Sequence, residues 1–210
     1  SSSWGSAQNL DILNKQINEM QKKGNNKNAL PLAVKVDDMT KNKFGERSGQ
    51  YAESLLKLAN LYNKNGQNNK PEPLYLHAME IMKAANKDQQ TEYTPYLIAL
   101  AAFYVDTRQF EKAEPLYPIA ANILDRNRLS NSSLYAVLLS GRGNLLYQQG
   151  LYADAETMFS RAIEIEEHEH LENTPDYAVF TGMLGDIYLR EGAFEKAEQL
   201  LVRSMTLRKK

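Results

Sequence analysis

Apolar residues recur along this chain at steps of three and four, stop, and then recur again. In one stretch Leu97, Leu100, Ala101 and Tyr104 form a stripe, Arg108 and Gln109 interrupt it, and a second stripe runs through Phe110, Ala113, Leu116, Tyr117, Ala120 and Ile123. Each stripe has the period of an amphipathic helix with one face turned to a core. Only a few residues connect them, so the pattern predicts two antiparallel neighbouring helices.

The pair is then written again at a fixed distance. Arg108 to Tyr117 reads RQFEKAEPLY, Gly150 to Phe159 reads GLYADAETMF, and Gly192 to Leu201 reads GAFEKAEQLL; Gly66 to Tyr75 and Gly24 to Ala33 are earlier versions. The steps from 24 to 66, 108, 150 and 192 are all 42 residues, without insertions. A fixed period of this size is the signature of a stacked array of helical repeats.

The small residues explain the close approach of the helices. Alanines at 29, 113, 155 and 197, and again at 78, 120 and 162, remove bulk where backbones cross; a large side chain there overpacks the contact at a cost of about 1–3 kcal/mol. Glycine at 24, 66, 150 and 192 supplies the positive φ that ends the first helix of each pair. Arg108 stands at that position in the third pair, so its turn is expected to be somewhat strained or differently shaped. Thr174-Pro175 reads as an N-cap followed by a proline at the first helical position, and Thr94-Pro95 reads the same way. Pro118 lies deeper in a second helix than Pro31, Pro73 and Pro115, and predicts a kink or loosened turn.

These residues together resemble the tetratricopeptide repeat (TPR). Leu58-Ala59, Leu100-Ala101 and Leu184-Gly185 match the leucine and small residue of that family's first helix, and Tyr62, Tyr104 and Tyr188 match its tyrosine. The 42-residue spacing and the AEPL run at 113–116 resemble the kinesin light chain variant. The resemblance implies an all-α fold, a right-handed superhelical solenoid of about five helix-turn-helix repeats with a concave groove. It spans 1–210 as one array, with repeats at about 11–42, 51–86, 93–127, 133–167 and 175–209. Residues 1–6, with the sole tryptophan Trp4, read as a flexible leader. The first repeat is divergent, with Gln16, Ile17 and Met20 at the signature positions, as expected of a terminal repeat.

The resemblance also implies a site, since the family uses its groove to hold a peptide or a partner's helix. Its groove positions correspond here to Asn14, Lys15 and Asn18, then Lys57, Asn60, Asn63 and Lys64. They continue as Ile98, Ala102 and Val105, then Asn144 and Tyr147, and finally Asp186 and Arg190. Amides pair with a peptide backbone through both donor and acceptor, and lysine attracts carboxylates. The expected ligand is therefore an extended segment with acidic residues near Lys15 and Lys57 and an apolar anchor against Ile98 and Tyr147. Ala99, Ala102, Gly141 and Gly182 are expected to leave room on the groove floor for that anchor.

Composition narrows the remaining choices. The net charge of −1 offers no global attraction for nucleic acid, and no apolar run reaches the length of a membrane helix. The chain has no cysteine, so thiolate chemistry and cysteine metal sites are excluded. His168 and His170, in the acidic run EIEEHEHLE, are two apart and do not share a helical face, so the run reads as a solvated helix end on the outer wall. Residues 1–50 hold eight basic against five acidic side chains, and 135–176 two against eight, so charge is uneven. The apolar edge through Leu200, Leu201, Val202 and Met205 predicts either a chain that continues or a self-associating end. No cofactor and no catalytic set is expected. The functional expectation is a non-catalytic adaptor or scaffold, the alternative a regulatory or sensory domain of a larger enzyme or signalling protein.

Overall fold

The structure, a computed structural model, describes the backbone of residues 2–208 and the side chains of residues 9–208. Ser1, Lys209, Lys210 and the Trp4 side chain lie outside the described residues. The described residues form helices: α1 Ser2–Lys22, α2 Asn26–Phe44, α3 Gly49–Lys64, α4 Pro71–Ala84, α5 Thr94–Asp106, α6 Phe110–Ala113, α7 Leu116–Arg126, α8 Ser133–Gln148, α9 Tyr152–His168, α10 Pro175–Arg190 and α11 Phe194–Arg208. The first helix thus begins within the stretch read as a leader. The chain forms two compact units, Ser1–Phe103 and Tyr104–Lys210.

The period of the sequence reappears in the backbone. Helices α2, α6, α9 and α11 begin at 26, 110, 152 and 194, in one 42-residue register. The first helices obey the same rule through their caps: Ser48, Ser132 and Thr174 accept the backbone N–H of Tyr51, Tyr135 and Tyr177 at 3.1, 3.3 and 3.1 Å. Each satisfies an amide that the helix start leaves without an intrahelical partner. Position 90 in this register is Gln90, which makes no side-chain cap, and the chain enters α5 through a 3-10 turn, Thr91–Tyr93. Thr94 is therefore not the cap that its sequence suggests. It already has helical dihedrals, and its hydroxyl is buried without a partner.

Gly24, Gly66, Gly150 and Gly192 have φ between 71° and 80°, and Arg108 adopts φ 59° at the same position. An L-residue in this region is held there against steric cost, as the sequence predicts for that turn. Asn86, Arg128 and His170 repeat the left-handed conformation after the second helices, again 42 residues apart. The loosened turn expected from Pro118 is also present, placed one turn earlier: α6 ends at Ala113 and α7 starts at Leu116. Proline has no N–H for the carbonyl four residues back, and its ring crowds that carbonyl, which here belongs to Glu114.

In the first unit α1 packs on α2, α2 on α3 and α3 on α4, and Leu10, Ile17, Ala29, Ala33, Val36, Leu58 and Leu61 form a buried cluster. In the second unit α8, α9, α10 and α11 stack in sequence around Phe159, Ile165, Tyr177, Phe180 and Ile187. The spaced alanines sit at the contacts, with Ala29, Ala78, Ala113, Ala120, Ala155 and Ala162 fully buried. On α11, Val202 and Met205 remain about half exposed, at 51% and 56%.

Two sequence expectations change. Gly141 and Gly182 do not open a groove floor: a Cβ on Gly141 meets Tyr117 Cε1 at 3.0 Å, and one on Gly182 meets Ser204 Oγ at 2.8 Å. These glycines let neighbouring helices touch. The acidic run is not wholly solvated either. Glu166 is fully buried and accepts the Ser133 and Thr174 hydroxyls at 2.6 and 3.1 Å, while Glu167 accepts the Tyr177 hydroxyl at 2.7 Å. The run faces solvent on one side and ties α9 to α8 and α10 on the other.

Tyr117 carries a buried hydroxyl without a partner, and burial pushes its pKa well above the ordinary tyrosine value. A buried donor left unpaired costs about 1–3 kcal/mol. Tyr117→Phe is therefore expected to raise stability to urea by about 1 kcal/mol; a loss of stability instead would show that the hydroxyl is hydrogen-bonded.

Candidate functional site

The first unit contains a cavity of about 590 Å³ bounded by α1, α2 and α3. Its floor is core: Leu10, Ile17, Val36, Leu58 and Leu61 are all below a tenth exposed. Its rim is polar, and five of the residues implied by the family resemblance lie on it: Asn14, Asn18, Lys57, Asn60 and Lys64. They meet because α1 and α3 are first helices in the same register, each turning its i, i+3, i+4 and i+7 positions to the same side. Lys15 and Asn63 do not line the cavity.

The rim groups differ in what they have left to offer. Asn14 donates from Nδ2 to the Leu10 carbonyl at 3.0 Å. Asn60 accepts the Tyr75 hydroxyl on Oδ1 at 2.6 Å. Lys57 pairs with Glu53 at 2.6 Å, with both side chains about 60% exposed; an exposed pair of this kind is worth roughly 0–1 kcal/mol and is easily exchanged for a ligand's charge. Beside the cavity, Asp37 is raised above the usual carboxylate pKa chiefly by burial, a shift that its hydrogen bond with Ser54 opposes.

Second-helix residues also line this cavity: Ala33, Val36, Thr40, Lys43 and Phe44 from α2. Sequence reasoning missed them because every groove position that the family resemblance implies lies on a first helix. Lys43 Nζ lies 5.0 Å from the Phe44 ring centroid, so a cation–π pair stands at the end of α2. Only the exposed aromatic Phe44 in an otherwise polar run offered a signal for it.

In the second unit, three predicted residues come together. The Tyr147 hydroxyl donates to Asp186, Arg190 Nε donates to the same carboxylate at 3.0 Å, and the guanidinium lies 5.2 and 5.7 Å from the Tyr147 and Tyr152 rings. Those hydrogen bonds, the tyrosine's first, hold the Asp186 carboxyl below the usual carboxylate range. The cluster ties α8, α9 and α10 into one surface; Tyr152 is the member that the sequence did not flag. Asn144 lies half-buried on α8. On α5, Ile98 and Val105 are buried, at 9% and 2%, and Ala102 is half-buried.

Among the described residues no group of three or more His, Cys, Asp or Glu side chains could hold a metal ion, and no helix is long and apolar enough to cross a membrane.

A model of the tetratricopeptide repeat matches residues 93–167 and 134–210, which together make up more than half of the chain. The chain belongs to the tetratricopeptide repeat family. The TPR fold extends beyond the matched residues. The crystal structure of BtubC (BKLC) from P. vanneervenii is similar over 95% of this chain and 80% of that one, with a TM-score of 0.71 at 23% identity. A putative kinesin light chain from Podosopora anserina with nearly identical TPR-like repeats is similar over 95% and 95%, with a TM-score of 0.66 at 16% identity. A Rap protein complexed with competence and sporulation factor has a TM-score of 0.78 at 21% identity; the match covers 91% of this chain and 52% of that one. At these identities the likeness concerns the fold: an all-α, superhelical TPR array of the kinesin light chain-like kind. No curated protein sequence matches the chain.

Proposed function

We propose that this TPR chain is a protein-interaction module that holds an extended segment of a partner in the cavity of its first unit, with an apolar side chain of that segment on Leu58 and Leu61. TPR proteins bind protein partners, and the chain is assigned binding and no catalytic step. The observation that carries the reading is the cavity itself: about 590 Å³ of space reaching down to core residues, rimmed by amides, by ammonium groups and by the carboxylates of Asp11 and Glu53. Burial of apolar surface on the floor supplies driving force for binding, while the polar rim orients the ligand. The Tyr147, Asp186 and Arg190 cluster offers a further contact in the second unit. The Rap protein, seen with a bound factor, supports ligand binding by this fold.

Asn18 tests the site because it is exposed, lines the cavity and belongs to no core cluster. Asn18→Trp places an indole across the opening. It is expected to reduce retention of a bound peptide at least tenfold while leaving the melting temperature unchanged; isothermal titration and circular dichroism together check this. Undiminished binding by the folded variant would remove the cavity from consideration.

A further inference from the structure

Five residues of α11, Phe194, Glu198, Leu201, Met205 and Arg208, follow one another at steps of four, three, four and three. That spacing puts them on one ridge of the helix, the kind of seam along which a second helix packs. The residues 42 positions earlier form the same ridge on α9, and there α10 covers it from end to end. The Arg190 guanidinium lies 5.7 Å from the Tyr152 ring, the Tyr188 hydroxyl donates to Glu156 at 2.9 Å, and the Thr174 hydroxyl donates to Glu166 at 3.1 Å. Thus α10 runs antiparallel along α9, with Phe159 and Glu166 fully buried and Ile163 8% exposed. On α11 no helix of the described residues takes that place. Phe194 is 67% and Met205 56% exposed, Leu201 is half-buried, and Glu198 and Arg208 are exposed.

The ridge is its own complement. Positions 198 and 208, and positions 201 and 205, are both centred on position 203. Laid antiparallel on a copy of itself, the helix therefore brings Glu198 to the partner's Arg208 and Leu201 to the partner's Met205, and each pairing occurs twice. Within one helix Glu198 and Arg208 stand too far apart to interact, and neither forms an ion pair among the described residues. Arg203 does not oppose its own copy at the centre, because it lies on the other side of α11, with its guanidinium 4.9 Å from the Tyr177 ring.

We propose that α11 is a self-association surface: two copies of this chain pair it antiparallel about a two-fold axis, each covering the other's ridge as α10 covers that of α9. Burial of Leu201 and Met205 supplies the driving force, and the two Glu198 to Arg208 pairs fix direction and register. A parallel pairing would set each charge against its like. A two-fold contact uses the same patch on both copies, so assembly closes at two chains. The pairing involves the second unit alone and is independent of the ligand reading of the first.

Sedimentation velocity on the whole chain is expected to show a species of twice the 23.8 kDa of one chain, dissociating on dilution. Met205→Glu changes an exposed position and should weaken association at least tenfold, with helix content by circular dichroism unchanged. Glu198→Arg and Arg208→Glu each set like charges together at both ends of the pairing, and each should also weaken it at least tenfold. Combined in one chain, the two reversals restore opposite charges in the antiparallel arrangement alone, and the dissociation constant should return to within about threefold of the wild type. A wild type that sediments as a monomer at every concentration would overturn the proposal. So would a dimer that survives Met205→Glu, which would place the contact elsewhere, or a double variant no better associated than the single ones. A mass that keeps growing with concentration would show an open head-to-tail contact and overturn the two-fold pairing.

Discussion

Phe159→Ala is expected to destabilise the second unit by about 3–5 kcal/mol, the range for removing a buried aromatic ring from a well-packed core. Phe159 is fully buried among Ala136, Leu139, Ile163 and Phe180. Its register partners are Ala33, Tyr75, Tyr117 and Leu201, so four of the five repeats put a large side chain at this position, and the space around Phe159 is full. A Cβ on Gly143 would meet two Phe159 ring atoms at 3.0 and 3.1 Å and Met158 Cβ at 3.2 Å. Gly143→Ala alone is accordingly expected to cost about 1–3 kcal/mol through overpacking. In the double variant the new methyl enters space that the ring has vacated, so the combined loss should fall short of the summed single losses by more than about 0.5 kcal/mol. Urea unfolding of the four proteins checks this. Additive losses would mean that Gly143 is demanded by something other than the ring.

The second large effect is expected at Glu166. This carboxylate is fully buried, yet it is bonded on both oxygens by the Ser133 and Thr174 hydroxyls. Thr174 is also the cap of α10, accepting the Tyr177 N–H on the same hydroxyl oxygen. Glu166 therefore joins the start of α8 to the start of α10. Glu166→Ala leaves two half-buried hydroxyls without this acceptor and empties a fully buried site, for a total loss of about 3 kcal/mol. Glu166→Gln is expected to lose under about 1 kcal/mol, because its carbonyl still accepts from Ser133 and its amide can donate to Thr174. Glu166→Leu fills the volume but strands the hydroxyls, and should resemble the alanine variant. A leucine variant as stable as the wild type would show that the hydroxyls find other partners.

Glu166 also shows where sequence reasoning falls short. Within EIEEHEHLE it looks like one more charge on a solvated helix face. Helical period separates inward from outward positions, but a buried carboxylate is tolerated only where hydroxyls converge on it, and here those lie 33 residues before and 8 residues after it. The glycines are a related case. Gly141, Gly182 and Gly185 interrupt apolar stripes, and a pattern of residue types does not distinguish an open groove from a tight crossing. The distance from a hypothetical Cβ to the next helix decides it, and at Gly185 that distance is 2.8 Å to Leu201 Cγ. At the cap of the third first helix, the adjacent Thr94-Pro95 was the more attractive motif, whereas the register points to Gln90, a residue without a capping hydroxyl.

The sequence by itself determined the 42-residue period, the helical hairpin that it repeats, the family, the left-handed turn at Arg108 and the break provoked by Pro118. All of these follow from chain-local constraints: backbone sterics, the helical period, and volume at contacts that recur at the same offset. Tertiary structure decided which of the implied groove residues line a cavity, that α2 supplies part of its wall, and what polarity its amides present. Asn60 has the same covalent structure wherever it stands, but the Tyr75 hydroxyl, 15 residues away in sequence and 2.6 Å away in space, takes its oxygen. Hydrogen bonds between side chains on different helices depend on distances of a few tenths of an ångström, and only packing sets those.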